Sequence, residues 1–138
     1  MNEGEKKYTI VIPSNLDKLA DVKHLSEKVA GIAGFNSEQT YNISMAVIEA
    51  VSNAIVHGNK SDEKRKTVVD FLIGDDKVTA TVRDQGNGFD PAKLANPVDP
   101  ENIMKISGRG LLILRALTSD VKFNFNKYGT EIIMVMKK

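Results

Sequence analysis

The stretch Glu49-Ala50-Val51-Ser52-Asn53-Ala54-Ile55-Val56-His57-Gly58 decides how this chain is read. At about 100° per residue, Ile43, Val47, Ile48, Ala50, Val51, Ala54 and Ile55 cover one broad side of a helix. Glu49, Asn53 and His57, at four-residue spacing, form a polar strip beside them, and Met45 and Val56 border that strip on its far side. A carboxylate in so apolar a helix needs a partner, a metal or water. Taken alone, the helix reads equally well as an amphipathic edge with polar residues on its rim.

Upstream, Tyr8 to Ile12 is a short β-rich run that Pro13 stops by removing a backbone donor. Ser14 or Asn15 then caps a helix whose apolar positions Leu16, Leu19, Ala20, Val22, Leu25, Val29 and Ile32 recur at three- and four-residue steps, until Gly31 and Gly34 end it. Its polar face carries Asp17, Lys18, Asp21, Lys23, Glu27 and Lys28. Asn36 or Ser37 caps the second helix, which runs through the opening stretch to Gly58.

Downstream, Lys60 to Lys66 reads as a solvated mixed-charge loop. Thr67 to Ile73 and Lys77 to Arg83 are two strands joined by the Gly74-Asp75-Asp76 turn as an antiparallel hairpin. Asp84 to Ser107 contains two glycines, Pro91, Pro97 and Pro100 and little periodicity; Ala92 to Ala95 allows one turn. A connection this long in a small domain acts as a lid or stays disordered. Gly108 to Leu117 predicts a short helix, and Ser119 to Phe125 and Thr130 to Met136 predict a final hairpin turning at Asn126 to Gly129. Strands separated by paired helices favour an α+β two-layer sandwich over a doubly wound parallel sheet.

A chain of 138 residues is sized for one domain with one core. Its 41% hydrophobic and 27% charged residues suit a globular protein, and a net charge of +1 offers no reason to propose a nucleic-acid or membrane surface. With no cysteine, disulfides, thiolate zinc sites and cysteine nucleophiles are excluded. No segment reads as a secretory signal or membrane span, so the expected location is the cytoplasm.

Two glycine-bearing segments add chemistry. In Asp84-Gln85-Gly86-Asn87-Gly88-Phe89-Asp90-Pro91 the glycines allow positive φ and close backbone approach, and an Asp ending a strand can accept hydrogen bonds from a ligand amine. The same residues would also serve as a tight acidic turn. In Ser107-Gly108-Arg109-Gly110-Leu111-Leu112-Ile113 a loop becomes a helix, where free amides and Arg109 can hold phosphate oxygens. The P-loop and dinucleotide fingerprints do not match.

In order, these segments resemble the ATPase superfamily shared by DNA gyrase, mismatch-repair MutL, heat-shock chaperones and sensor histidine kinases, often called GHKL or Bergerat-fold. Glu49-x3-Asn53-Ala-x-x-His57-Gly58 is similar to its N box, Asp84-x-Gly86-x-Gly88-Phe89 to its first glycine box, and Gly108-Arg109-Gly110-Leu111 to its second. Gly129-Thr130 matches a threonine that helps hold adenine. The resemblance implies a mixed, mostly antiparallel sheet with helices on one face.

It also implies that Asp84 accepts from the adenine amine with Thr130 nearby through water, while Gly86 and Gly88 admit the base. Asn53 would ligate Mg²⁺, Gly108 to Leu111 would wrap the ATP phosphates, and residues 90–107 would form the lid. His57 continues the strip toward the nucleotide. Glu49 would be the base that orients or deprotonates a hydroxyl, where sensor histidine kinases usually carry His. Those kinases also need a dimerisation region with an acceptor histidine; His24, on the first helix, reads as a surface or boundary residue.

A module of this size that begins with a strand and one helix is similar to the anti-sigma factor serine/threonine kinases. The resemblance implies a homodimer that sequesters a sigma factor and phosphorylates a small anti-anti-sigma (STAS-domain) partner with ATP and Mg²⁺. A nucleotide-dependent binding switch without phosphoryl transfer is the alternative, and a hydrolytic ATPase subunit a third.

Overall fold

The run Tyr8–Ile12 forms the middle of strand β1 (Lys6–Pro13), which lies at one edge of the sheet, where a proline is tolerated. The chain is described here by a computed structural model covering residues 5–85, 110–126 and 129–138, apart from the side chains of His57, Leu111, Phe125 and Asn126. Asn15 accepts from the Asp17 amide at 2.9 Å and caps a tight turn, Leu16–Lys18, that leads directly into helix α1 (Leu19–Ala33). Gly31 lies inside α1, so Gly34 alone stops it, taking φ +82°, which a residue with a Cβ rarely adopts.

Helix α2 (Ser37–Asn53) starts at Asn36 with a reciprocal cap. Asn36 Oδ1 accepts from the Gln39 amide at 2.8 Å while Gln39 Oε1 accepts from the Asn36 amide at 2.9 Å. The expected helix runs to Gly58, but α-helical bonding ends at Asn53. Over Ala54–Gly58 the coil widens, and the Asn59 amide reaches back five residues to the Ala54 carbonyl at 2.7 Å.

Strands β2 (Lys66–Ile73) and β3 (Lys77–Asp84) form the expected hairpin, closed by Gly74 N–H on the Lys77 carbonyl at 2.9 Å. Helix α3 (Gly110–Leu117) follows, then β4 (Asp120–Asn126) and β5 (Gly129–Lys137). The expected turn at Ala92 to Ala95 and the lid at 90–107 lie outside the described residues.

The sheet order is β1-β2-β3-β5-β4. Where the resemblance implies a mixed sheet, all four pairings among the described strands are antiparallel. The reason is topological: β3 and β4 run the same way, but β5 inserts between them and pairs with both.

Strand alternation sends Val69, Phe71, Val78, Ala80, Val82, Ile132 and Met134 to one face, all buried. Val22 and Val29 of α1 and Ile43, Val47, Ala50 and Val51 of α2 meet them in one core. Each Val, Ile, Phe or Met side chain among them contributes about 1.5–3 kcal/mol relative to exposure. The opposite face keeps Val11 and Leu72 exposed and holds Asp70 between Thr9 and Arg83. The result is the two-layer α+β sandwich expected from the order of elements.

Candidate functional site

Asp84 is the last residue of β3, paired with Thr67 of β2 on the buried face of the sheet. Its Oδ1 accepts from the Thr130 amide at 3.1 Å. Two glycines make room for it. A Cβ on Gly129 would strike the Asp84 carbonyl and stand 3.0 Å from Oδ1, and Gly129 takes φ +147°. A Cβ on Gly58 would lie 2.5 Å from Asp84 Cγ. The carboxylate is thus held by the β4–β5 hairpin on one side and by the wide coil after α2 on the other.

Glu49 and Asn53 lie one turn apart on α2, both half-buried. Asn53 Nδ2 points at Glu49 Oε1 from 3.5 Å, a long contact that leaves the amide oxygen of Asn53 without a protein partner among the described residues. One carboxylate and one free amide oxygen are hard ligands or bases of the kind a phosphate-bound Mg²⁺ and a hydroxyl proton require. Among the described residues no three His, Cys, Asp or Glu side chains converge, so a cation here would draw its other ligands from water and phosphate. Met45, within α2, is partly exposed at the margin of the strip, as the periodicity implies; Val56, in the following coil, is partly exposed as well.

The wide coil changes one expectation. Four-residue spacing places side chains on one strip only while the helix stays α-helical, and that regime stops at Asn53. The spacing argument therefore does not reach His57, whose side chain lies outside the described residues. What the coil does position is Gly58, against Asp84.

Sequence reasoning missed Asn59. It is fully buried, and its Nδ2 reaches Ser14 Oγ at 2.8 Å, the Lys66 carbonyl at 3.0 Å and Thr67 Oγ1 at 3.2 Å. Its Oδ1 accepts from the Gln85 amide at 2.8 Å. The clue was a polar residue following the glycine of the helix end, but the mixed charges from Lys60 onward read as solvent-exposed loop. That segment is exposed from Lys60 to Lys64, as expected; at its end Arg65 offers its carbonyl to Ser14 Oγ at 2.6 Å and Lys66 opens β2.

The structure therefore brings Glu49 and Asn53 together on one helix, and Asp84 and Thr130 together across two strands. Gly110 is the first residue of α3, and Leu111 follows within it. Gly86, Gly88, Phe89, Gly108 and Arg109 lie outside the described residues. A concavity of about 220 Å³ lined by Phe35, Gln39, Asn42 and Leu117 sits at the opposite end of α2, roughly 15 Å along the axis from Glu49, and belongs to different surroundings.

Residues 12–136 match the model of the histidine kinase-like ATPase domain, a span that runs from the end of β1 to the end of β5. The chain belongs to the histidine kinase-like ATPase family. Within it, the chain is 28% identical over 134 residues to the serine-protein kinase RsbW of Listeria monocytogenes, covering 93% of this chain and 85% of that protein. It is 32% identical over 105 residues to the anti-sigma F factor of Clostridium perfringens, covering 72% and 74%.

The crystal structure of the RsbU and RsbW domains of a Mycobacterium tuberculosis protein superposes with a TM-score of 0.71 at 22% identity, over 96% of this chain and 32% of that one. That likeness supports the fold. Among relatives of this ATPase family, then, those named anti-sigma factors and serine-protein kinases cover most of the chain. No helix among the described residues is long and apolar enough to cross a membrane.

Proposed function

We propose that this chain is an anti-sigma factor serine/threonine protein kinase. It binds ATP with Mg²⁺, sequesters a sigma factor and phosphorylates a serine or threonine of an anti-anti-sigma, STAS-domain partner. The observation that carries the reading is the arrangement of Asp84, seated between Gly58 and Gly129–Thr130, beside a helix that presents Glu49 and Asn53 one turn apart.

In this reading Asp84 accepts from the exocyclic amine of adenine, with Thr130 adjoining through water, and Gly86, Gly88 and Phe89 frame the base. Asn53 holds Mg²⁺ through its free amide oxygen; when bound, the ion neutralises charge on the phosphates. Gly108, Arg109, Gly110 and Leu111 contact the phosphates, where amides at the start of α3 are unpaired by helix geometry. His57 extends the wall toward the nucleotide, and residues 90–107 close over it.

Glu49 orients the acceptor hydroxyl and takes its proton. The hydroxyl oxygen attacks the γ-phosphorus, a new P–O bond forms, the bond to the β,γ-bridging oxygen breaks, and the electron pair leaves with ADP. A phosphoserine at the partner's interface adds about two negative charges and opposes rebinding, which leaves the chain free to hold the sigma factor. Homodimerisation and a cytoplasmic location complete the proposal.

The experiment is incubation with γ-labelled ATP, Mg²⁺ and candidate STAS-domain proteins. Label on a partner serine or threonine supports the kinase. Nucleotide-dependent partner binding without label identifies a binding switch, and phosphate release with neither identifies a hydrolytic ATPase.

A further inference from the structure

The Asn59 cluster has no part in the chemistry proposed above, yet its buried side chain contacts four partners. A primary amide has two N–H donors and one acceptor oxygen. Asn59 directs its donors at Ser14 Oγ, the Lys66 carbonyl and Thr67 Oγ1, and gives its acceptor to Gln85 N–H. These partners come from the end of β1, the start of β2 and the end of β3. A buried amide is tolerated only when so satisfied, because a lost partner leaves its desolvation uncompensated.

The partner that matters most is Gln85. The β2 ladder ends at the Thr67–Asp84 pair and the β5 ladder at the Arg83–Glu131 pair, so among the described residues no strand partner holds the backbone at Gln85. Asn59 Oδ1 supplies the missing acceptor at 2.8 Å, and Gln85 Oε1 accepts from the Lys66 amide at 2.7 Å. The peptide leaving Asp84 is thus fixed by side chains where the sheet stops.

A second observation concerns the backbone. Lys60 and Ser61, immediately after Asn59, take φ of +53° and +57°, a left-handed conformation that non-glycine residues seldom hold in succession. Such conformations persist when surrounding bonds over-determine them, and they concentrate at functional sites. Here the Asn59 and Ser61 amides reach the Ala54 and Ile55 carbonyls, each at 2.7 Å. The turn thereby sets Gly58 against the Asp84 carboxylate while the next side chain grips Gln85.

We propose that Asn59 is a positioning residue for base recognition: it fixes the Asp84 carboxylate for the exocyclic amine of the purine by locking the Gln85 peptide on one side and seating Gly58 on the other. This rests on the reading of Asp84 as the adenine partner. Hydrogen bonds weaken steeply with angle, so a modest shift of the 84–85 peptide degrades discrimination before it abolishes nucleotide binding.

The test compares the affinity of the full chain for ADP and for purine riboside diphosphate, which lacks the 6-amino group, by calorimetry with Mg²⁺ present. The ratio is the readout, because both ligands sample the same folded fraction and loss of stability alone leaves it unchanged. The unsubstituted chain prefers ADP by about tenfold or more, the value of a hydrogen bond to a charged acceptor. Asn59→Ala brings the ratio to within about twofold of unity on the same grounds. Asn59→Ser, which keeps a small polar group but is too short to reach Gln85 N–H, does the same and stands in if the alanine variant does not fold.

Ser14→Ala removes a partner of Nδ2 without touching the Gln85 bond and keeps the ratio of the unsubstituted chain. The proposal is overturned if folded Asn59 variants keep that ratio too, or if Ser14→Ala collapses it equally. If the unsubstituted chain shows no preference, or Asp84→Ala retains one, the adenine reading itself falls and this inference with it.

Discussion

Gly58 lies so close to Asp84 that a methyl group on it would stand 2.5 Å from the carboxylate carbon. The last residue of the polar helical stretch and the last residue of β3 therefore share one small volume, although 26 positions separate them in the chain. Their contact joins the helix wall to the strand end.

Gly58→Ala tests whether that closeness matters to a ligand. Gly58 does not require a left-handed backbone, so alanine acts mainly through collision with the carboxylate. Overpacking of this kind costs about 1–3 kcal/mol, measurable by urea denaturation. Calorimetry should show ATP affinity falling at least about tenfold, because displacing Asp84 degrades a hydrogen bond to a charged acceptor. Unchanged affinity in a folded variant removes Asp84 from the ligand site.

Gly129→Ala combines collision with the Asp84 backbone and a φ of +147°. Unfolding experiments should find about 1–3 kcal/mol of lost stability from backbone strain alone. Gly74→Ala is the control: its nearest neighbour would be 3.6 Å away and its backbone is ordinary, so its effect stays within about 0.5 kcal/mol. Equal losses in the two variants would show that Asp84 crowding is unimportant.

Glu49→Gln retains an acceptor for Asn53 and the shape of the side chain while removing the base. Phosphoryl transfer to the partner should fall about 10²- to 10⁴-fold in single-turnover assays, with nucleotide affinity nearly unchanged. A full transfer rate in this variant makes the Glu49–Asn53 strip structural.

Asn53→Ala removes the free amide oxygen. ATP affinity measured across a magnesium titration should lose most of its dependence on the ion, while affinity in chelator stays near that of the unsubstituted chain. An unaltered magnesium dependence places the ion elsewhere.

Much of this architecture was legible because local rules and burial agreed. The β-rich runs Thr67–Ile73 and Lys77–Arg83 with a glycine-bearing turn between them gave the β2–β3 hairpin, and of the two expected caps, Asn36 and Ser37, the structure uses Asn36. Glu49 and Asn53 could be placed on one strip because the helix between them is regular. The candidate site was readable only as separate pieces in order, since glycines, an aspartate and a helix strip each suggest their own chemistry.

Other features were hidden for definite reasons. The widening at Ala54–Gly58 leaves no mark in composition, so four-residue spacing by itself places Glu49 and Asn53 but not His57. Asn59 looks like a loop residue until β1, β2 and β3 close around it. Gly31 and Gly34 look alike as helix stops, and only the backbone at Gly34, turned to φ +82°, distinguishes them.

By itself the sequence determined the strands and helices, their order and the Glu49–Asn53 part of the polar helix strip, because these follow from periodicity and turn chemistry over a few residues. Tertiary structure alone decided that β5 inserts between β3 and β4, that Gly58 and Gly129 flank one carboxylate, and that Asn59 binds three strand ends together. Those relations join residues tens of positions apart, and they arise from closure of the sheet and satisfaction of buried polar groups, which no local pattern encodes.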